Sequence, residues 1–326
     1  MVLNVDQIYY QGLLVDRASE SRKSQEWLNQ QWHHPDCQVL LLQNDKNLMC
    51  WNRELTHEPI AIYHSRKGIE ALVGENLTIV FLGLNGQVPM FAAEVGSHFE
   101  GRLSPGQETY QFVDLRETGC LLNAQDAAML AYGRGLLYWN RHSLFCSRCG
   151  SATVKQQGGH VKQCSDENCG HLTFPRTDPA VIMLIEDQSI PAQPRCLLGR
   201  NSRFPNRMMS TLAGFVDPSE SLEETVAREA FEEAGVRVDQ INYQASQPWP
   251  FPASIMLGFR ARAVTTDICI DGVEIEEANW FTIEQLESFG EWGDGSDNYC
   301  LPRHDSIARF LIDSWMSDVR SKERGA

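Results

Sequence analysis

The stretch GFVDPSESLEETVAREAFEEAGV, Gly214 to Val236, decides how the C-terminal half of the chain folds and what it can do. Ser221-x-x-Glu224 is a capping box: the serine can accept from the backbone N–H three residues on while the glutamate reaches back, so a helix is expected to start there. Gly235 stands where a left-handed C′ residue would end it. Leu222, Val226 and Ala230 lie four apart and form a stripe to be buried. Glu229, Glu232 and Glu233 are spaced i, i+3, i+4 and share one face. Three carboxylates so placed repel one another unless cations compensate, and hard divalent ions such as Mg²⁺ or Mn²⁺ take carboxylate oxygens while keeping several waters. A diphosphate can supply the remaining ligands, and a cation there can activate water and neutralise phosphate charge. The competing explanation, which suffices for an arbitrary Glu-Glu pair, is a solvated acidic face.

Outward from this helix, PAVIMLIED (179–187) reads as a buried strand, RCLLGR (195–200) as its neighbour and TLAGFV (211–216) as a third. More strand is expected around Ile255 to Ala263, and a second helix near Ile283. A final amphipathic helix begins near Asp305, with Ile307, Phe310, Leu311 and Trp315 on one side. Mixed strands with two or three helices predict an α/β/α layered domain. Residues 1–140 read as an α+β domain. QVLLLQ and LMCW flank the turn NDKN, and LTIVFLGL precedes Asn85-Gly86, a hairpin signal because both central positions favour φ > 0. A helix is expected from about Ala124 to Trp139. No internal repeat stands out and no catalytic constellation is visible in this first domain, so a structural or dimerising role is expected. The whole is an α+β multidomain chain with boundaries at 1–140, 141–175 and 176–326.

The middle segment is short, glycine-rich and cysteine-rich. Its spacing is Cys146-x2-Cys149-x14-Cys164-x4-Cys169. Two cysteine pairs on tight turns can set four thiolates at the corners of a tetrahedron, the geometry Zn²⁺ prefers, and leave no open position, so the site is structural. Chance spacing and two local disulfides are the alternatives. His160 and His171 lie near enough in sequence to compete as ligands, but the four cysteines already complete the set. Cys37, Cys50, Cys120, Cys196, Cys269 and Cys300 are scattered and read as small buried hydrophobes. The 326 residues carry 28 Lys and Arg against 43 Asp and Glu, a formal charge of −15, which argues against salt-driven nucleic-acid binding over the whole surface. No run of eighteen apolar residues exists, so no spanning helix is expected. MVLNVDQIYYQ has no basic start and apolar run of an export signal, and a reducing, cytoplasmic compartment is the expectation.

The full spacing G-x5-E-x7-R-E-U-x-E-E-x-G-U, with U aliphatic, is the Nudix box, and the chain from about Asp178 resembles a Nudix hydrolase domain. Ala230 departs from the family's bulkier aliphatic. The resemblance implies that Glu229 and Glu233 are the principal metal ligands, that Glu232 is a ligand or part of the base machinery, and that the Ala213 carbonyl also reaches a metal. It gives Arg228 an orienting role with Glu220. A further acid expected downstream matches Glu274, which is otherwise a surface glutamate beside Glu276 and Glu277. Which glutamate acts as general base varies in the family and stays unassigned.

SQPWPFPAS (246–254) follows the box. Three prolines interleaved with two aromatics make a stiff segment whose flat faces can stack on a heterocycle; a proline-rich connection packing on the core is the plain alternative. Together with Phe174-Pro175-Arg176, the WNRHSLFCSRCG run (139–150) and Ser306-Ile307-Ala308, the segment resembles the NADH pyrophosphatase branch of the Nudix family. Phe174 stands where that branch has tyrosine, and Asn140 where it has histidine. The resemblance implies hydrolysis of NAD(H) to nicotinamide mononucleotide and AMP. It implies nucleotide contacts by Phe174, Phe215, Gln247, Trp249, Ser254, Glu274 and Ala308, catalytic Mg²⁺ or Mn²⁺, structural Zn²⁺ and a homodimer. Members also remove NAD caps from RNA 5′ ends. A Nudix enzyme for ADP-ribose or dinucleoside polyphosphates, and a non-catalytic nucleotide sensor that binds nucleic acid, are the other readings; sensors commonly lose box glutamates, and this chain keeps them.

Overall fold

Val181 to Ile185 are five consecutive buried residues, and a strand buries all of its residues only when both faces are covered. Strand Asp178–Asp187 meets that condition at the centre of a six-stranded sheet in a computed structural model of the chain. The structure describes residues 8–52, 58–73, 77–96, 108–203, 207–270, 272–295 and 298–325. The first seven residues, part of the stretch read above for an export signal, lie outside them. On one face Val181, Met183 and Ile185 pack with Val226, Ala230 and Ala234 of helix Leu222–Ala234. On the other, Ile182 and Leu184 pack with Ile307, Leu311 and Trp315 of helix Ile307–Gly325. This is the expected α/β/α sandwich.

The central strand runs parallel to Ser254–Ala263 and antiparallel to Arg195–Asn201 and Leu212–Phe215, with Val238–Trp249 and Ile275–Thr282 at the edges. The two edge strands are the elements that apolar patterning does not reveal, because each has one open side and carries polar residues there. Half of the SQPWPFP segment is therefore strand rather than connection. The helix expected near Ile283 is short, Ile283–Glu287. Among the scattered cysteines, Cys37, Cys50, Cys196 and Cys300 are buried, but Cys120 is half-buried and Cys269 is exposed. Cys120 sits in the short turn Gly119–Leu121. Cys269 uses its N–H on the Ala234 carbonyl, 2.8 Å away, at the end of the glutamate-rich helix; it serves through its backbone and enters no apolar layer.

The chain divides into two compact units, and the second holds Tyr10–Thr177 together with the five residues Trp249–Ala253. Its sheet repeats the connection order of the first. Gln38–Gln43 runs parallel to Val88–Glu94 and antiparallel to Lys46–Asn52 and the short His64–Ser65. Helix Arg66–Val73 follows His64–Ser65, Glu108–Val113 returns to pair with Lys46–Asn52, and helix Ala124–His142 closes the series. The C-terminal unit makes the same sequence of a central strand, a hairpin partner, a short strand back on the first, a helix, a strand pair, a returning strand and a closing helix. The repeat is thus present in topology and absent from the letters, since the helix RKGIEALV holds one glutamate where the C-terminal helix holds five. Both hairpins form with tighter turns than expected. Asn44 and Asp45 both take positive φ, so Lys46 and Asn47 already belong to the strand; in the other, Asn85 pairs with Val88 and Gly86-Gln87 make the turn, with φ +62° at Gly86.

The cysteine-rich segment forms a small antiparallel sheet of Thr153–Gln156, Val161–Cys164 and Leu172–Thr173. It is fastened to the N-terminal sheet by polar contacts. Asn140 donates to the carbonyls of Leu136 and Gly159, 2.8 Å each. His160 Nε2 lies 2.9 Å from the Phe81 carbonyl; a carbonyl only accepts, so that nitrogen carries the proton. Among the described residues the ligand atoms that gather in the ribbon are those of Cys146, Cys149, Cys164 and Cys169, and His160 is outside that group. Burial lowers its pKa to about 4. An unfolded histidine titrates near 6.5, so the unfolded state binds more protons in between, and the stability His160 contributes is present above about pH 6.5 and lost as pH falls toward 4. The wild-type melting temperature should drop across that window more steeply than that of His160→Gln, in heat denaturation followed at half-unit pH steps.

Candidate active site

The helix bearing the acids forms as its sequence dictates. The Ser221 hydroxyl accepts from Glu224 N–H at 3.2 Å and Glu224 accepts from Ser221 N–H at 2.7 Å, while Gly235 ends the helix at φ +70°. The buried stripe draws Glu229 and Glu233 inward; both are less than a tenth exposed. Glu232, a third of a turn away, has a side chain more than half exposed. The three carboxylates thus share a face without sharing an environment.

Arg228 governs this face. Its Nε and Nη2 grip the two oxygens of Glu220 at 2.7 and 2.9 Å, Nη1 reaches Glu229 Oε1 and Glu232 Oε2 at 2.8 Å each, and Nη2 also donates to the Phe215 carbonyl. Thr225 and the Asp217 N–H hold Glu220 in turn. Hydrogen bonds from Arg228 draw the Glu220 carboxyl down to about 2. Glu229 shifts the other way: burial raises its pKa, Arg228 opposes, and the fields of Glu232 and Glu274 add to the rise. Glu274 itself is exposed, but its effect on Glu229 places it within electrostatic reach of the cluster.

Gly214 supplies the floor. A Cβ built there would lie 1.9 Å from the Glu229 carboxylate carbon, at a position whose φ is ordinary for any residue. The glycine is required by the carboxylate that rests on its backbone, a role the sequence pattern marks without explaining. Ala213, beside it, pairs with Ile182 of the central strand. The acids are not gathered as tightly as the thiols: among the described residues, the four cysteines are the one set of three or more such ligands whose atoms lie within 4.8 Å of one another. Bare carboxylates spread, and Arg228 occupies the space between two of them. The donor set is all oxygen, two members are buried, and a backbone floor fits against one of them, so these residues suit a hard divalent cation.

The other expected nucleotide contacts divide. Phe215 is exposed, Ser254 is half-buried opposite Asp178, and Phe174 is exposed. Gln247 is not available: it is fully enclosed, with its amide donating to the carbonyls of Asp305 and Tyr9 and accepting from Ile307 N–H. It ties its strand to the start of the closing helix. Ala308 is likewise buried in that helix's apolar cluster, so only its backbone could meet a ligand. Trp249 is half-buried, 6.1 Å from Tyr10 and 5.0 Å from Phe251, ring centre to ring centre.

Cys146, Cys149, Cys164 and Cys169 gather their four sulfurs within 4.8 Å of one another, a set that could hold a metal ion. Sγ atoms of Cys146 and Cys169 lie 3.9 Å apart and those of Cys149 and Cys164 3.3 Å, against about 3.8 Å for two sulfurs on a tetrahedral zinc with bonds near 2.3 Å. The sequence pairs Cys146/Cys149 and Cys164/Cys169 each end in a glycine at positive φ: Gly150 N–H bonds the Cys146 carbonyl and Gly170 N–H the Asp166 carbonyl. Cys164→Ser should lower zinc content measured by atomic absorption from one ion per chain toward none and melt the ribbon, since such segments fold with their metal. Gly214→Ala should cut hydrolytic activity by about 100-fold, as a displacement of about 1 Å in a catalytic group does, with melting temperature changed by only a few degrees.

Three family models cover the chain in succession: a "NADH pyrophosphatase-like rudimentary NUDIX domain" at residues 30–139, a "NADH pyrophosphatase zinc ribbon domain" at 141–174 and a "NUDIX domain" at 176–299. The NAD-capped RNA hydrolase NUDT12 of Homo sapiens is 34% identical over 343 residues, covering 94% of this chain and 73% of that protein. The NAD-capped RNA hydrolase of Schizosaccharomyces pombe is 33% identical, covering 95% and 93%, and the mitochondrial NAD(P)H pyrophosphatase NUDT13 of Homo sapiens is 33% identical, covering 80% and 79%. A crystal structure of a NUDIX hydrolase from Nitrosomonas europaea aligns with 48% of this chain and 97% of its own at 23% identity, with a TM-score of 0.37. With the acid-bearing helix, the four-cysteine ribbon and relatives along nearly the whole length, the chain belongs to the Nudix hydrolases, in the branch that pairs an NADH pyrophosphatase-like domain with a zinc ribbon.

Proposed function

We propose that the chain hydrolyses the central pyrophosphate of NAD(H), giving nicotinamide mononucleotide and AMP, and by the same bond cleavage removes NAD caps from RNA 5′ ends. The carrying observation is the three box glutamates on one helix, two of them bound by Arg228 and one resting on the Gly214 floor, in a chain whose relatives are named for NAD-capped RNA and NAD(P)H. Glu229, Glu232, Glu233 and Glu274, with the Ala213 carbonyl, would hold Mg²⁺ or Mn²⁺, which supply water activation and neutralisation of phosphate charge. The chain's own part is to keep those acids apart and aimed. Glu220 anchors Arg228, and Arg228 in turn neutralises Glu229 and Glu232 while binding the Phe215 carbonyl, so strand and helix keep one spacing. Phe174, Phe215 and Trp249 offer aromatic faces for the bases, Ser254 offers a hydroxyl, and Ala308 its backbone.

A homodimer is the proposed assembly, and the exposed Leu144, Phe145, Val154 and Leu172 of the ribbon give such a contact apolar area. Among the described residues no helix is long and apolar enough to cross a membrane. The buried thiols of Cys37, Cys50, Cys196 and Cys300 suit a reducing cytoplasm.

Product analysis with Mg²⁺ or Mn²⁺ tests the reading: NADH should yield reduced nicotinamide mononucleotide and AMP, and NAD-capped RNA should yield a 5′-monophosphate end. Equal turnover of ADP-ribose and NADH would overturn it in favour of a broader pyrophosphatase. Glu233→Gln should reduce turnover to under about one-hundredth by removing a charged oxygen from the cation site, with an unchanged circular-dichroism spectrum.

A further inference from the structure

Strand Ile275–Thr282 lies at an edge of the catalytic sheet, antiparallel to Arg195–Asn201. Over most of its length its side chains alternate in the ordinary way. Ala278 and Trp280 pack on the cluster that holds Val226 and Ala230 of helix Leu222–Ala234, and Phe281 belongs to the cluster on the opposite face. Continued by the same rule, Glu276 would come next against the helix and Ile275 would face away from it. The structure does the reverse. Ile275 is 4% exposed and joins the cluster of Val226 and Ala230, while Glu276 is exposed.

The register shows how the parity changes. Arg200 stands opposite Glu277 and Asn201 opposite Ile275, so Glu276 is an extra residue with no partner across the ladder. This is a β-bulge, which bends a strand and re-aims its side chains. One side chain fastens it. Arg200 Nη1 lies 2.7 Å from Glu276 Oε2 and its Nε 3.7 Å from Glu277 Oε2, with the arginine side chain 19% exposed. Tyr299 donates its hydroxyl to the other oxygen of Glu277. Ion pairs that are partly open to solvent add little to stability. This one acts on register instead: without the bulge, a glutamate would be driven under the helix and an isoleucine into water. Glu274 immediately precedes the seated Ile275, so whatever fixes Ile275 also fixes where the Glu274 side chain starts. The field of Glu274 on Glu229 agrees with that placement.

We propose that Arg200 is a positioning residue for the cation site: by gripping Glu276 and Glu277 it locks the bulge that seats Ile275 under the acid-bearing helix, and so holds Glu274 at the carboxylate cluster. Arg200 shares its face of the sheet with Leu198, whose cluster is the one on the far side from that helix, so it works through the strand and not by touching cation or substrate. The inference rests on the proposed function through the role given there to Glu274, and the two fail differently.

The test uses the full chain and Mn²⁺ without nucleotide, with the free ion followed by its electron paramagnetic resonance signal. Arg200→Met removes the charge and keeps an unbranched stem; it should weaken Mn²⁺ binding about tenfold, a loss typical of removing a residue that supports a metal ligand. Arg200→Lys should recover most of that loss. A lock that acts through Glu274 has nothing left to act on once that acid is gone, so Arg200→Met combined with Glu274→Gln should bind Mn²⁺ within about twofold of Glu274→Gln alone. Glu276→Gln with Glu277→Gln opens the same lock from the other strand and serves if Arg200→Met does not fold by circular dichroism. The lock is overturned by wild-type affinity in a folded lock variant, by a lysine variant no better than methionine, by a Glu274→Gln variant that binds as wild type does, or by losses that multiply in the combined variant. A wild-type chain that binds Mn²⁺ and leaves NADH intact overturns the proposed function and spares the lock; a wild type active on NADH, with lock variants that bind Mn²⁺ equally well, overturns the lock alone.

Discussion

One guanidinium keeps three carboxylates from driving each other apart. Arg228 holds Glu220 with two bonds and Glu229 and Glu232 with one each, and everything else in the catalytic unit is arranged around that bracket. The capping box and the terminal glycine fix the length of the helix. The apolar stripe fixes its rotation, which sends Glu229 and Glu233 inward and leaves Glu232 outside. The strand Leu212–Phe215 is held at the correct distance because Arg228 also binds its last carbonyl, and Gly214 lets Glu229 lie flat on that strand. Charge-assisted hydrogen bonds to a buried carboxylate are worth several times those of an exposed pair, so the half-buried bracket is the strongest polar element of the site.

Most of the catalytic unit was legible because its signals are local. Ser221, Glu224 and Gly235 name the helix ends, and the unbroken apolar run Val181–Ile185 requires cover on both faces. The box glutamates needed no long-range information either. The zinc ribbon was readable for the same reason: two cysteine pairs and their glycines lie within 25 residues. What could not be read depends on distant partners. Gln247 looks like a ligand contact in the segment SQPWPFP and proves to be a strut, because its three hydrogen-bond partners lie at Tyr9, Asp305 and Ile307. Arg200 carries no local sign at all: it is one arginine in an ordinary strand, and the glutamates it holds lie 76 and 77 positions away.

The N-terminal domain repeats the catalytic unit's connection order without repeating its glutamate-rich helix. Its strand order and crossover match those of the catalytic unit, down to a short strand that precedes a helix at the place of the glutamate-rich one. Its sheet has Val39, Leu41, Phe81 and Phe91 inside, and the helix RKGIEALV carries a single glutamate. Topology persists because a sheet of this order buries its core from both sides, whereas a set of crowded carboxylates destabilises any fold that gains no activity from it.

The five residues Trp249–Ala253 carry a consequence for how such a chain can evolve. A catalytic domain that keeps its own recognition elements can be detached, fused elsewhere or duplicated at little cost. Here the five residues Trp249–Ala253 belong to the second compact unit, with proline on both sides of Phe251 to stiffen them. A cut before Asp178 would part Phe251 from Tyr10, whose ring it meets at 5.7 Å, so these five residues keep their packing only in a chain that carries both stretches.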